Sequence, residues 1–323
     1  MRIAMLFLAG LIAAPAWAGT PQDLEDCSTK YEKEAVDACT RLIDDKATPD
    51  DTRALALFNR ALNYETMLLL PEAMTDLNDS IRLTPKEATG YALRGKVLQD
   101  QQEFERSIPD FDEAVRLDDK SAMAYDWRGR SYFYMRKNDR AIEDFDAALR
   151  IDPKNKEAYW DLGQAHEVAD DNKAAVGDYG KLIELEPQSV RGYVRRAVAY
   201  IKLGDAAHAI ADTSAAMRVE PSSIAALQVR GDAYVAKGDF DRAIDDYTAA
   251  IHFRPEYELF IQRGIAYRGK GDREHAIDDF YKAINTQPLS SDDARAELKK
   301  LGIEVPANRE ALPPGKTILD VLR

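Results

Sequence analysis

The 323 residues carry 31% charged and 45% hydrophobic side chains with 17 glycines and 14 prolines, a balance normal for a folded soluble protein and one that speaks against disorder. The length suits two ordinary domains or one long repeat array. A net charge of −13 repels nucleic acid and anionic lipid, so a partner steered by charge is a basic one; equally, the acids serve solubility alone.

Residues 1–18 stand apart from the rest. Arg2 precedes an apolar run from Ile3 to Ala14, and Pro15, Ala16, Trp17 and Ala18 give a small-x-small ending before Gly19. That pattern predicts a secretory signal cleaved after Ala18, and loss of Arg2 takes the net charge from −13 to −14. The rival, an uncleaved anchor, falls short of the ~20 apolar residues that span a bilayer. No cysteine follows the apolar run directly, which speaks against a lipid anchor, and no later stretch is apolar enough to span a membrane. The mature protein is therefore expected to be periplasmic or secreted, without membrane insertion.

Cys27 and Cys39 are the whole thiol inventory. Two cysteines without a nearby histidine do not make a zinc site. In an oxidising compartment an isolated pair predicts a disulfide, contributing roughly 3 kcal/mol through loop-closure entropy. The competing reading is a pair of buried core thiols. Cys27 falls in one expected helix, and Ala35, Cys39 and Leu42 carry helical spacing in a second.

From residue 54 the chain repeats itself. Proline recurs at Pro85, Pro153, Pro187, Pro221 and Pro255 on a period of 34 residues, with Asp119 in the one gap, and Pro288 follows after 33. Units aligned on those positions start at Ala54, Ala88, Ala122, Lys156, Val190, Ile224 and Tyr257. Position 8 is then small throughout (Ala61, Gly95, Gly129, Gly163, Ala197, Gly231, Gly264), and so is position 20 (Ala73, Ser107, Ala141, Ala175, Ala209, Ala243, Ala276). Position 11 is Tyr except for Leu98 and His166. Position 24 carries Leu77, Phe111, Phe145, Tyr179, Thr213, Tyr247 and Phe280. Positions 4, 8 and 11 follow i, i+4, i+7 spacing, as do 20, 24 and 27, so each unit predicts two helices with one apolar stripe apiece. The small residues let the two approach closely. Proline near position 32 ends the second helix. Gly204-Asp205, Gly238-Asp239 and Gly271-Asp272 mark the turn within three units as a helix stop followed by a cap. One hairpin cannot bury its own stripe, so neighbours must stack.

The stretches YDWRGRSYFYMRKNDRAIEDFDAALRIDP, from Tyr125, and LQVRGDAYVAKGDFDRAIDDYTAAIHFRP, from Leu227, closely resemble tetratricopeptide repeats. The resemblance covers residues 54–290 in seven units, 54–87, 88–121, 122–155, 156–189, 190–223, 224–256 and 257–290. It implies an all-α, right-handed α-solenoid of stacked antiparallel helical hairpins. Residues 19–53 then read as a degenerate N-terminal capping hairpin stapled through Cys27 and Cys39. Residues 291–302 read as a C-terminal capping helix, and 303–323 as a tail, loose or laid along the array.

Chemistry is hard to find. His166, His208, His252 and His275 fall in different units, and His166 occupies a packing column. Gly315-Lys316-Thr317 resembles the end of a phosphate loop, but Glu310 stands where its first glycine belongs. Arginine fills position 7 in every unit but the fourth, where Leu162 stands, and aspartate fills position 23 in all seven. An arginine ladder for acidic ligands is one reading. The matching period of both partners favours a structural Arg–carboxylate pair once per repeat, which leaves Asp178 without its arginine.

In the family resembled, positions 2, 5, 9, 12 and 13 of the first helix line a concave groove. Carried onto this sequence, the third unit contributes Met123, Asp126, Arg130, Phe133 and Tyr134. The fourth contributes Glu157, Trp160, Gln164 and Glu167, and the fifth Arg191, Val194, Val198, Ile201 and Lys202. Trp160, Phe133 and Tyr134 are the best anchors, since aromatic and Arg side chains dominate binding hot spots; the competing reading is that the tail or packing between units covers them. The resemblance thus implies an exported protein–protein interaction scaffold. It would hold an extended peptide or helix of a partner, with no catalysis, metal, cofactor or nucleic acid. The alternative is a structural adaptor of envelope assembly that uses its convex face or ends while the groove is self-occupied. A groove predicts that Trp160→Ala abolishes capture with stability hardly changed; an adaptor predicts that end deletions matter instead.

Overall fold

A computed structural model describes residues 20–287 and 292–305; the expected signal segment and the tail beyond residue 305 lie outside the described residues. The described residues form seventeen helices and no strand, packed as consecutive antiparallel pairs. The fold class is the all-α solenoid of stacked hairpins, divided into two compact units between Pro153 and Lys154.

The N-terminal unit begins with α1 (Pro21–Thr29) and α2 (Glu32–Asp44), a hairpin joined by the Cys27–Cys39 disulfide. Cys27, Ala38, Cys39 and Leu42 bury themselves against Ala56 of α3 (Asp50–Thr66). α3 starts ahead of the repeat boundary at Ala54, because Arg53 bonds back to the carbonyls of Asp45 and Thr48 and ties the incoming chain to its first turn. α4 (Leu70–Leu83), α5 (Ala88–Asp100), α6 (Phe104–Leu117), α7 (Ala122–Tyr134) and α8 (Asn138–Ile151) complete three repeats.

The C-terminal unit holds four more: α9 (Lys156–Val168) with α10 (Asn172–Leu185), α11 (Val190–Lys202) with α12 (Ala206–Val219), α13 (Ile224–Lys237) with α14 (Phe240–Phe253), and α15 (Tyr257–Lys270) with α16 (Arg273–Thr286). A final helix, α17 (Asp292–Lys300), lays Ala294 and Leu298 on the core around Phe280 and Ile284.

Within a repeat, the first (A) and second (B) helices meet through matched sizes. A Cβ on Gly163 would stand 2.6 Å from the Tyr179 ring, and one on Gly231 2.6 Å from the Tyr247 ring. Where position 8 is alanine, as at Ala61 and Ala197, the facing residue shrinks to Leu77 or Thr213, both fully buried. The bulk of one side chain thus offsets the smallness of the one facing it.

The turn between A and B helices is the same in all seven repeats. The N–H of position 16 donates to the C=O of position 11, from Leu69 to Tyr64 through Asp272 to Tyr267, and position 15 lies at positive φ. That residue is Gly204, Gly238 and Gly271 in the last three repeats, but Leu68, Gln102, Arg136 and Asp170 in the first four. Asp171, Asp205, Asp239 and Asp272 then cap the B helices by accepting from the backbone three residues on.

B helices stop two residues before each proline, with the intervening residue out of helical geometry and extended at Glu220 and Arg254. α6 stops at the equivalent Leu117 with Asp118 extended, although Asp119 replaces the proline. Helix termination therefore belongs to the stack, and proline reinforces it.

Candidate functional site

The position 7 and 23 columns meet within each repeat. Arg60–Asp76, Arg94–Asp110, Arg128–Asp144, Arg196–Asp212, Arg230–Asp246 and Arg263–Asp279 form two-pronged ion pairs at 2.6–2.9 Å. Several arginines use a third nitrogen on the preceding B helix: Arg60 on Thr40, Arg94 on Asn78, Arg128 on Asp112 and Arg263 on Thr248. The guanidinium therefore pins a hairpin to its neighbour as well as to itself. Hydrogen bonds to Asp144 push the Arg128 guanidinium upward, outweighing the opposing effect of burial. These charges are spent on register and are not free for an acidic ligand.

Repeat four corrects one expectation. Asp178 does have a partner: Nδ1 of His166 lies 2.6 Å from its carboxylate, so the histidine in the tyrosine column does the work that Leu162 cannot. His208 and His275 pair with the capping Asp205 and Asp272 and stack on Tyr200 and Tyr267, centroids 5.0 Å apart in each case. Backbone and ring donors of His208 hold Asp205 below the usual carboxylate range, and the His275 ring does the same for Asp272. Among the described residues no cluster of three or more His, Cys, Asp and Glu could ligate a metal, and no helix is long and apolar enough to cross a membrane.

The A-helix face carries the residues expected to bind. In the N-terminal unit, Tyr134 is 60% exposed and stacked on Phe104 with centroids 4.8 Å apart, while the half-buried Phe133 meets it edge-on. Asp126 is buried and held by Arg130 at 3.0 Å, which removes it from the available surface, and Met123 is half-buried against the core of Ala92, Ala114 and Ala124.

In the C-terminal unit the Arg191 guanidinium lies 4.7 Å from the centroid of the Trp160 ring and 2.6 Å from Glu157. Trp160 itself is half-buried, 5.8 Å from the Tyr179 ring and packed on a core with Leu182 and Ala199. Trp160→Ala therefore removes core packing as well as surface, contrary to the expectation of unchanged stability. Gln164, Val198 and Ile201 are half-buried and Lys202 is exposed, but Val194 is buried among Ala197, Ala226 and Val229.

Two arrangements were not read from the sequence. Glu167 is buried and paired with Arg195 beside the Tyr179 hydroxyl, which burial and the carboxylate push upward. The Tyr247 hydroxyl donates to Asp232 at 2.6 Å. The available signal was tyrosine instead of phenylalanine at a buried position 24, since a buried phenol needs a polar neighbour.

Stacked helical hairpins with an A-helix face of aromatic, arginine and aliphatic side chains define a repeat scaffold for protein–protein interaction. The chain belongs to the tetratricopeptide repeat family: the profile of that repeat matches residues 127–190, 194–258 and 229–294, just over half of the sequence. No curated protein matches the chain. Among solved structures it is similar to a tetratricopeptide repeat protein from Parabacteroides merdae, at 20% identity and TM-score 0.55, over 76% of this chain and 97% of that one. It is also similar to YrrB, a TPR protein with an unusual peptide-binding site, at 22% identity and TM-score 0.53, over 60% of this chain and 97% of that one. The Cut9–Hcn1 hetero-tetramer of the APC/C matches at 16% identity and TM-score 0.54, over 83% of this chain and 52% of that one. Identities this low establish a shared fold alone.

Proposed function

We propose that the chain is an exported, non-catalytic scaffold whose A-helix face holds an extended segment or a helix of a partner protein. The observation that carries this reading is the Glu157–Arg191–Trp160 cluster of α9 and α11. An exposed guanidinium lies over an indole and is held there by a carboxylate, which restricts its orientation before a partner arrives. Half-buried Val198 and Ile201 add apolar surface on α11 itself. Aromatic and arginine side chains in such settings supply most of the binding energy of protein interfaces. YrrB supports the reading only as a protein of the same fold that binds a peptide. Export rests on the pattern of residues 1–18 and agrees with the disulfide.

Affinity capture from native envelope extract tests the reading, comparing the mature chain with a version carrying Arg191→Glu and Tyr134→Ala. Both positions are exposed, and thermal melts of the two proteins establish that the variant is folded. Partners recovered by the parent and lost by the variant are expected. Equal recovery would refute binding on this face and favour the convex face or the ends.

A further inference from the structure

Several carboxylates on the A-helix faces are matched by cations. In the N-terminal unit Asp126 has Arg130 at 3.0 Å, and Glu65 has Lys96 at 3.3 Å, which also holds Asp100 at 2.5 Å. In the C-terminal unit Glu157 has Arg191, Glu167 has Arg195, and Glu297 of α17 has Arg268 at 3.1 Å.

Asp232, at position 9 of α13, breaks the pattern. It is half-buried and accepts a hydrogen bond from the neutral Tyr247 hydroxyl at 2.6 Å, and among the described residues no cation stands within ion-pair distance. Lys96 and Arg130 occupy the same position of their repeats, so their partners show what surrounds it. The place of Glu65 is taken here by Ile201, that of Asp126 by Gln228 and that of Asp100 by Ala236. Burial raises the Asp232 carboxyl above the usual range, with the Tyr247 bond only partly opposing it. One neutral donor leaves most of its lone pairs open, and an ammonium or guanidinium is the group that matches both charge and geometry. The net charge of −13 draws basic segments toward the chain.

We propose that Asp232 sets the selectivity of this face: it takes a lysine or arginine side chain of an extended partner segment, with Val198 and Ile201 accepting apolar residues beside it. The proposal rests on the binding reading above and names the chemistry of its ligand.

The test is binding of positional-scanning nonapeptides, the central residue fixed as Lys, Arg, norleucine, Gln or Glu and the flanks randomised. They are titrated by fluorescence polarisation onto the mature chain, Asp232→Asn and Tyr247→Phe. Lys and Arg peptides should bind the parent about tenfold more tightly than norleucine peptides, the scale of one charge-assisted hydrogen bond. The preference should persist in Tyr247→Phe and vanish in Asp232→Asn, whose amide oxygen still accepts from the Tyr247 hydroxyl. Asp232→Ser serves the same purpose if the asparagine variant does not fold. Binding without cation preference, or a preference that survives loss of the carboxylate, overturns this assignment and leaves the binding face standing. No binding by any peptide sinks both.

Discussion

Arg128 bonds Asp144 of its own hairpin and Asp112 of the preceding one, and its side chain is 17% exposed against 7% for Asp144. Removing one partner of such a pair leaves an uncompensated buried charge, which costs about 3–5 kcal/mol. Repeat four is a natural control, because Leu162 and His166 there occupy the places of Arg128 and Tyr132 while Asp178 remains satisfied. Arg128→Leu alone should therefore destabilise by about 3 kcal/mol. Adding Tyr132→His should recover part of that loss, read from urea unfolding midpoints. A single substitution without effect would mean that the pair contributes nothing to register. The pairing itself was legible in the sequence because both partners repeat with one period. The substitute in repeat four was not, because exchanging an arginine at position 7 for a histidine at position 11 conserves a contact across two different columns.

The turns show the same limit at the level of the element. Gly-Asp pairs mark three of them, yet all seven adopt one backbone path, with Leu68, Gln102, Arg136 and Asp170 held at positive φ. A left-handed conformation costs a non-glycine residue about 1–2 kcal/mol, and glycine returns part of that as chain entropy. The packing of A on B over-determines the turn, so local sequence need not specify it. Exposed Gln102 should accept glycine with a gain of about 0.5–1 kcal/mol, while Gly238→Ala should lose about 1 kcal/mol. Opposite signs in thermal melts would contradict this view of the turn. The period, the hairpins and the small-residue columns were readable because they recur. The extended break after α6 was less so, since Asp119 gives no sign that Asp118 leaves the helix.

Across the whole molecule, the repeat register dictated which face each A helix would present, but not which side chains on it are free. Asp126 and Val194 fall on the expected face by position and are nonetheless buried, one by its own arginine and one by its neighbours. Arg191, Trp160 and Glu157 become a unit only when helices 34 residues apart in sequence are stacked, a contact no local motif announces. The central claim is that this face holds the partner. Hydrogen–deuterium exchange on the intact mature chain, with and without a bound partner segment, measures it most directly. Slowed exchange concentrated on the A helices α9, α11 and α13 of the C-terminal unit, with the B helices unchanged, is the expected result. Protection confined to the B helices, to the α1–α2 hairpin or to α17 would contradict it and assign the interaction to the B-helix face or the ends.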